Sequence, residues 1–541
     1  MALIGIEDLS FTYPNAEQKA LDGVSLTIDR GEFITLMGAT GSGKSTLLRL
    51  LKPELRQNGT IAGKVSFDGT ELAVLPQKDS AARIGYVAQN PEEQIVTDKV
   101  WHELAFTLEN LGAKRELIAR RIAEISSFFG IDGWYHRDTA TLSGGQKQLL
   151  NLAAVMTADP EILLLDEPTA QLDPIAATRF IETVYRLNRE TGLTVLICEH
   201  RAEELFPISD RVVILDNGKI AHDGEVREVA KAIGADSLYL SFLPTAARIV
   251  KAAADDKEIP LSIREGQRFM EKIPDGIKSI SEEHKSAKDK PALEMKNVYF
   301  RYERGGADVL SDFSLTIREG EVFALLGANG AGKSTAAAVA AGLRKAYSGS
   351  VKLFSKRLKD YKNGSLYQGN ISLLPQDVES VFIHETVGEE LKGCEAVVEK
   401  LPYDLKPLYS RHPYDLSGGE RQLVALCKAL STEPRFLMMD EPSKGLDGNV
   451  KSLLCNIIGR LKENGVTVLL ITHDVEFAAL CADRCALFSQ GQIAACDPVA
   501  GFMRDNRFYT TAASRITRNH FEDAYTAERA VRLIQLNGGA V

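Results

Sequence analysis

The stretch Gly38-Ala39-Thr40-Gly41-Ser42-Gly43-Lys44-Ser45-Thr46 decides the fold, and its pattern returns at Gly327-Ala328-Asn329-Gly330-Ala331-Gly332-Lys333-Ser334-Thr335. Both fit G-x-x-x-x-G-K-[ST], a loop whose glycines turn backbone N–H groups inward around a triphosphate. The lysine reaches the outer phosphates and the following hydroxyl can ligate Mg²⁺. At average residue frequencies one match arises by chance in about one chain in fifty of this length, and two in about one in a few thousand. Two sites for nucleoside triphosphate are predicted.

Outward from the loops, the duplication continues. Phe11-Thr12-Tyr13 is matched by Phe300-Arg301-Tyr302, and Gln89 by Gln376. Leu142-Ser143-Gly144-Gly145-Gln146 pairs with Leu416-Ser417-Gly418-Gly419-Glu420, Asp166-Glu167-Pro168 with Asp440-Glu441-Pro442, and His200 with His473. Six matches in one order make an internal repeat. Their spacing is 289 residues at Lys44 and Lys333, 287 at the glutamines and 274 at Ser143 and Ser417. The length difference therefore falls in 90–141 against 377–415. The first of these stretches reads as helices, Val100 to Asn110 and Lys114 to Phe129; the second is shorter and broken by Gly393, Pro402, Pro407 and Pro413.

The rest reads as α/β. Val24 to Ile28 and Phe33 to Met37 are expected strands, with a helix opening at Lys44. Ile162 to Leu165 and Phe436 to Met439 are continuous apolar runs, the pattern of parallel strands buried on both faces. Each delivers its Asp-Glu at the C-terminal end, where open α/β sheets place ligands. Thr194 to Cys198 and Val466 to Thr472 do the same for the histidines. The expected division is 1–225 and 292–500 for the two copies, 226–291 for a helical extension and linker, and 501–541 for a helical tail. Within the linker, 257–290 carries eight Lys/Arg and seven Asp/Glu and is expected to be solvated. A tail helix is expected over Ala524 to Leu536.

With 541 residues the chain exceeds one hydrophobic core. A net charge of −10 argues against a nucleic-acid partner, because phosphate contacts need a basic face. Seven cysteines at 198, 394, 427, 455, 481, 485 and 496 include no C-x-x-C pair, and buried thiols in a reducing cytosol are expected. The start, Met1-Ala2-Leu3-Ile4-Gly5-Ile6, lacks the pattern of a signal peptide, and no apolar run reaches the length of a membrane span. Any membrane role is expected to need other subunits.

This set of motifs resembles the nucleotide-binding domains of ATP-binding cassette proteins, over nearly the whole chain. The phosphate loop alone would indicate a P-loop NTPase; the Leu-Ser-Gly-Gly element between the glutamine and the Asp-Glu carries the family. The resemblance implies two tandem P-loop domains, each with a RecA-like core, an antiparallel β subdomain and a helical subdomain. It implies ATP and Mg²⁺ as ligands. Tyr13 and Tyr302 would stack on adenine; Gly38, Gly41, Gly43, Lys44 and Thr46, with Gly327, Gly330, Gly332, Lys333 and Thr335, would cradle the phosphates. Ser45, Gln89 and Asp166 in one copy, and Ser334, Gln376 and Asp440 in the other, would hold the metal. Glu167 and Glu441 would polarise the attacking water, and His200 and His473 would contact the γ-phosphate. Ser143, Gly144 and Gly145, and Ser417, Gly418 and Gly419, open helices that can meet a γ-phosphate. The family pattern makes each site composite: Lys44, Glu167 and His200 would work with Ser417, and Lys333, Glu441 and His473 with Ser143. Both sites keep every one of these groups, so both are expected to hydrolyse ATP. Gln94 and Glu103 stay open between a functional and a structural role.

A finer resemblance lies in Gln89-Asn90-Pro91-Glu92-Glu93-Gln94 followed by Val100-Trp101-His102-Glu103-Leu104-Ala105-Phe106, with Leu243-Pro244-Thr245-Ala246-Ala247 and Ile259-Pro260-Leu261-Ser262. These look like the ATPases of energy-coupling-factor importers of cobalt and vitamins. Here two such ATPases would be fused. That implies a peripheral protein on the cytoplasmic face of the membrane, bound to a transmembrane coupling subunit and a substrate-binding membrane protein. The second copy matches more loosely, since Gln376-Asp377 replaces Gln-Asn-Pro. Two alternatives are a sugar-importer ATPase and a soluble translation factor with two cassettes.

Overall fold

The computed structural model describes residues 2–14, 16, 18–253, 258–274, 276–280 and 288–538. The chain divides into two compact units, Met1–Arg248 and Ile249–Val541, with the division inside the helix Thr245–Ala253.

In the first unit a six-stranded sheet runs in the order Lys219–Glu225, Arg211–Asp216, Phe33–Met37, Thr194–Cys198, Ile162–Asp166, Ile84–Val87. Five strands are parallel and the Lys219–Glu225 edge is antiparallel. Every residue of Phe33–Met37, Ile162–Asp166 and Thr194–Cys198 is buried, which is why their sequences lack a polar alternation. A four-stranded antiparallel sheet, Leu21–Asp29, Ala2–Thr12, Thr60–Phe67 and Thr70–Glu71, stands beside it. Here alternation does hold: Val24, Leu26 and Ile28 point inward between exposed neighbours.

The second unit repeats both sheets. Its mixed sheet runs Ile371–Leu374, Phe436–Asp440, Thr467–Thr472, Val322–Leu326, Arg484–Ser489, Gln492–Pro498, and its antiparallel sheet is Leu310–Glu319, Lys288–Phe300, Ser348–Leu353, Lys356–Arg357. The expected divergence is present. The first unit carries helices Val100–Asn110 and Arg115–Phe129, whereas the corresponding part of the second has short turns, among them Val387–Glu390, Glu395–Val398 and Lys406–Leu408. Gly393, at φ 88°, separates the first two of these turns, and Pro407 lies in the first positions of the third, where its missing N–H costs nothing.

Two expectations change. The segment 257–290 is not wholly a solvated linker. Ile263–Met270 is a helix with Phe269 and Met270 buried, and Ser262 caps it through Glu265 N. The following strand of chain is tied to the tail within the same unit: Ile280 N donates to Asp523 Oδ2 (2.9 Å), Glu522 N to Lys278 O (2.8 Å) and Ile277 N to Asn537 Oδ1 (2.6 Å). The tail helix Ala527–Leu536 turns Ala530, Leu533 and Ile534 inward. Charge balance along 257–290 could not reveal this, because the partner lies more than 230 residues away. Residues 281–287, in the same stretch, fall outside the described residues. The second change concerns cysteine. Cys455 and Cys481, half-buried on the helices Gly448–Glu463 and Val475–Cys481, meet as a disulfide with Cα atoms 5.5 Å apart. Cys198, Cys394, Cys427 and Cys485 are buried thiols, as expected.

Candidate functional site

Each phosphate loop links a fully buried strand to a helix, Phe33–Met37 to Lys44–Leu50 and Val322–Leu326 to Lys333–Ala340. Gly43 and Gly332 cap these helices at φ 102° and 108°, a conformation a side chain would strain. Space forbids one as well: a Cβ on Gly43 would lie 2.4 Å from Ala20 O. The buried Lys44 ammonium folds back to donate to Gly38 O and Ala39 O, both at 2.9 Å. Lys333 does the same with Gly327 O (2.7 Å) and Ala328 O (3.0 Å). A buried cation held by loop carbonyls can exchange those contacts for phosphate oxygens. Tyr13 and Tyr302 pack edge-on against Phe11 and Phe300, and each hydroxyl meets the loop threonine, Thr46 at 2.8 Å and Thr335 at 2.9 Å.

The two carboxylates at each strand end have different settings. Ser45 Oγ donates to Asp166 Oδ1 (2.8 Å) and Tyr86 Oη to Asp166 Oδ2 (3.0 Å). Burial pushes the Asp166 and Asp440 carboxyls above the usual range, against the hydroxyls of Ser45 and Ser334. Asp440 Oδ1 is buried without a hydrogen-bond partner, an oxygen donor suited to a hard cation such as Mg²⁺. Glu167 and Glu441 follow at φ 44° and 50°, left-handed values rare for non-glycine residues and concentrated at functional sites. Their backbone N–H groups donate to the neighbouring strand at Cys198 O and Ile471 O, which holds the turn.

In the first unit Glu167 gathers the expected groups: Gln89 Nε2 donates to its Oε2 (3.0 Å), and His200 Nε2 lies 3.1 Å from its Oε1. In the second, His473 Nδ1 is 2.9 Å from Glu441 Oε2, His473 N donates to the same oxygen (3.3 Å), and Lys333 Nζ is 3.7 Å from Oε1. Gln376 is exposed, as is Ser334. Lys444 adds a second cation here; burial lowers its pKa, opposed by Glu441, Asp377 and Asp440.

Ser143 and Ser417 cap the helices Gly144–Met156 and Gly418–Leu430 as capping boxes with Gln146 and Glu420. Ser143 and Gly144 are exposed, Gly145 and Ser417 half-buried, Gly418 exposed and Gly419 buried against Val450. Each helix start thus presents backbone N–H groups and a hydroxyl.

Gln94 and Glu103 resolve as structural. Gln94 accepts from Ala88 N and donates to Tyr86 O, both at 2.9 Å, and so staples the loop that carries Gln89. The buried Glu103 accepts from Val96 N and Thr97 N. Glu390 repeats this in the second unit, accepting from Ile383 N, His384 N and Lys428 Nζ. Glu199, which no motif singled out, is a buried carboxylate beside His200; the signal available in the sequence was its place where the other copy has Thr472.

Among the described residues no helix is long and apolar enough to cross a membrane. A family model described as ABC transporter matches residues 21–170 and again 310–444, the two segments that run from the strands Leu21–Asp29 and Leu310–Glu319, through each phosphate loop, to the turn after each Asp-Glu. A Bacillus cereus protein named ABC transporter ATP-binding protein is 40% identical over 535 residues, covering 97% of this chain and 96% of that one. A protein of the same description from Caldanaerobacter subterraneus subsp. tengcongensis is 34% identical over 522 residues, 90% of each chain. The solved structure of cbiO1 from Clostridium perfringens, described as part of the ABC transporter complex cbiONQ, aligns with 28% identity and a TM-score of 0.39 over 42% of this chain and 90% of that chain. These relatives match over 90% or more of each chain, across both copies of the fold. With the phosphate loop, Asp-Glu turn and histidine brought together in each unit, the chain belongs to the ABC transporter family as an ATPase that carries two ATP-binding cassettes in one polypeptide.

Proposed function

We propose that this chain is the double ATPase subunit of an energy-coupling-factor importer, peripheral on the cytoplasmic face of the membrane, and drives uptake of a vitamin or metal-ion micronutrient. The observation that carries this is the segment that follows Gln89. Val96, Trp101 and Phe106 are 61%, 40% and 38% exposed there, on a loop and helix fixed from beneath by Gln94 and Glu103. Exposed apolar side chains on a braced segment that follows Gln89 in the chain suit a helix of a transmembrane coupling subunit, which would carry a substrate-binding membrane protein. In the second cassette Ile383 is 79% exposed and its N–H is held by Glu390 as that of Val96 is by Glu103, but the helix that carries Trp101 and Phe106 is cut to Val387–Glu390, so the two surfaces suit unequal helices of one asymmetric partner.

In this reading ATP closes each site between the loop of one cassette and the Ser143 or Ser417 helix of the other. Lys44 and Lys333 neutralise the outer phosphates. Ser45, Gln89 and Asp166, and Ser334, Gln376 and Asp440, would hold Mg²⁺, which offsets charge on the transferring phosphoryl group. Glu167 and Glu441 accept hydrogen bonds from the attacking water and His200 and His473 orient it. Product release reopens the pair, and the motion passes through the segments after Gln89 and Gln376 to the membrane subunit.

Pull-down of the chain from native membranes should recover a transmembrane coupling protein; recovery of ribosomes alone, or of a sugar-importer channel, overturns the assignment. Both sites are expected to turn over. Glu167→Gln and Glu441→Gln should each leave measurable steady-state ATPase, and the double variant should lose at least about 100-fold. Unchanged activity in Glu441→Gln with none in Glu167→Gln would make the second site non-catalytic.

A further inference from the structure

One buried titratable group beside the first site has no part in that mechanism. Glu199 is 3% exposed and stands between the last residue of the strand Thr194–Cys198 and His200. Its Oε1 accepts from Thr169 N (2.7 Å) and from Thr169 Oγ1 (2.5 Å), and its Oε2 accepts from His200 N (3.1 Å). Arg201 Nε completes the set by donating to Thr169 Oγ1 (3.0 Å). The carboxylate therefore joins the turn that follows Glu167 to the backbone of His200.

The second cassette does this differently. Thr472 stands in the place of Glu199, and the N–H of His473 goes to the carboxylate of Glu441 (3.3 Å), with Thr472 Oγ1 3.4 Å from the same oxygen. In each cassette one carboxylate anchors the histidine backbone. In the second it belongs to the glutamate that faces the water; in the first a separate residue supplies it.

We propose that Glu199 is a positioning residue of the first site. It fixes the Thr169 turn and His200 together, so that Glu167 meets Gln89 and the His200 ring without also anchoring the His200 backbone. Burial is tolerated because the donors converge on it and Arg201 lies close by. The inference rests on the roles given above to Glu167 and His200.

The test uses the full chain in the Glu441→Gln background, so that turnover reports the first site. Rates are normalised to ATP sites titrated with a fluorescent ATP analogue, and melting temperatures are recorded. Glu199→Ala should lower kcat at least about tenfold while KM for ATP stays within about twofold. The isosteric Glu199→Gln keeps the acceptor for Thr169 but turns an amide toward His200 N–H, and should recover part of the lost kcat. A kcat for Glu199→Ala within about twofold of its parent, or an equal loss in both variants with a matching rise in KM, overturns the inference. Glu167→Gln in the same background tests the underlying assignment separately. Retained turnover there overturns the role of Glu167 and this inference with it; lost turnover with an unaffected Glu199→Ala overturns this inference alone.

Discussion

Glu199-His200-Arg201 in the first cassette and Thr472-His473-Asp474 in the second occupy the same turn of the same fold with different charges. In the first, Glu199 and Arg201 both reach Thr169, so the histidine is tied to the loop after Glu167. In the second, Asp474 caps the helix Val475–Cys481 through Phe477 N and pairs with Lys451 Nζ at 2.6 Å, so the histidine is tied to the helix Gly448–Glu463. Ala177 stands in the first cassette where Lys451 stands in the second, and could form no such pair. A duplicated fold can thus keep its histidine while each copy fastens it to a different neighbour.

The largest effect expected from breaking this contrast is on stability. Burial raises the Asp474 carboxyl, but the Lys451 ammonium and the N–H of Phe477 more than offset it and hold the pKa at about 2. A carboxyl lowered from 3.8 contributes stability in full above that value and loses it as pH falls through about 2. Lys451→Met should destabilise the second unit by about 2 kcal/mol, a figure reduced from the fully buried case because the lysine is partly exposed. Melting followed from pH 7 to pH 2 should show the variant losing this acid-dependent part, while the first unit is unaffected. If both units respond alike, the contrast is wrong.

Next in size is the histidine itself. With the other site silenced by its Glu→Gln change, His200→Ala should lower kcat about tenfold and His473→Ala only about threefold. The reason is that Glu441 keeps its backbone contact to residue 473 when the ring is removed, whereas Glu167 loses its Nε2 partner. Equal losses would show that the ring alone orients the water in both cassettes.

The smallest expected effect concerns an addition confined to the second unit. Asn537 accepts from Ile277 N, and its amide donates to Ile277 O (2.9 Å) and Leu533 O (2.8 Å), clasping the chain before the second cassette to the tail after it. Asn537→Ala should cost about 1 kcal/mol and raise hydrogen exchange at 276–280. Exchange elsewhere in the unit should stay as it was.

Much of this was legible in the sequence because it is local. The phosphate loops, the buried strands Ile162–Asp166 and Phe436–Asp440, and the caps at Ser143 and Ser417 follow from a few adjacent residues whose backbone or burial needs admit little else. The meeting of Glu167 with His200, 33 residues apart, followed from adjacent parallel strands ending on the same side. Glu103 and Glu390 were harder, because a glutamate that accepts two loop N–H groups looks like any solvated helix acid until the loop closes over it.

By itself, the sequence determined two α/β cassettes, the candidate residues of each site and the place where the copies diverge, since periodicity and short motifs act over a few turns of chain. Only the tertiary structure decided what depends on distant partners. It joined 277–280 to the tail through Asp523 and Asn537, brought Cys455 to Cys481, and gave the backbone of His200 to Glu199 and that of His473 to Glu441. Each of these is settled by which groups share a buried space, and no spacing along the chain encodes that.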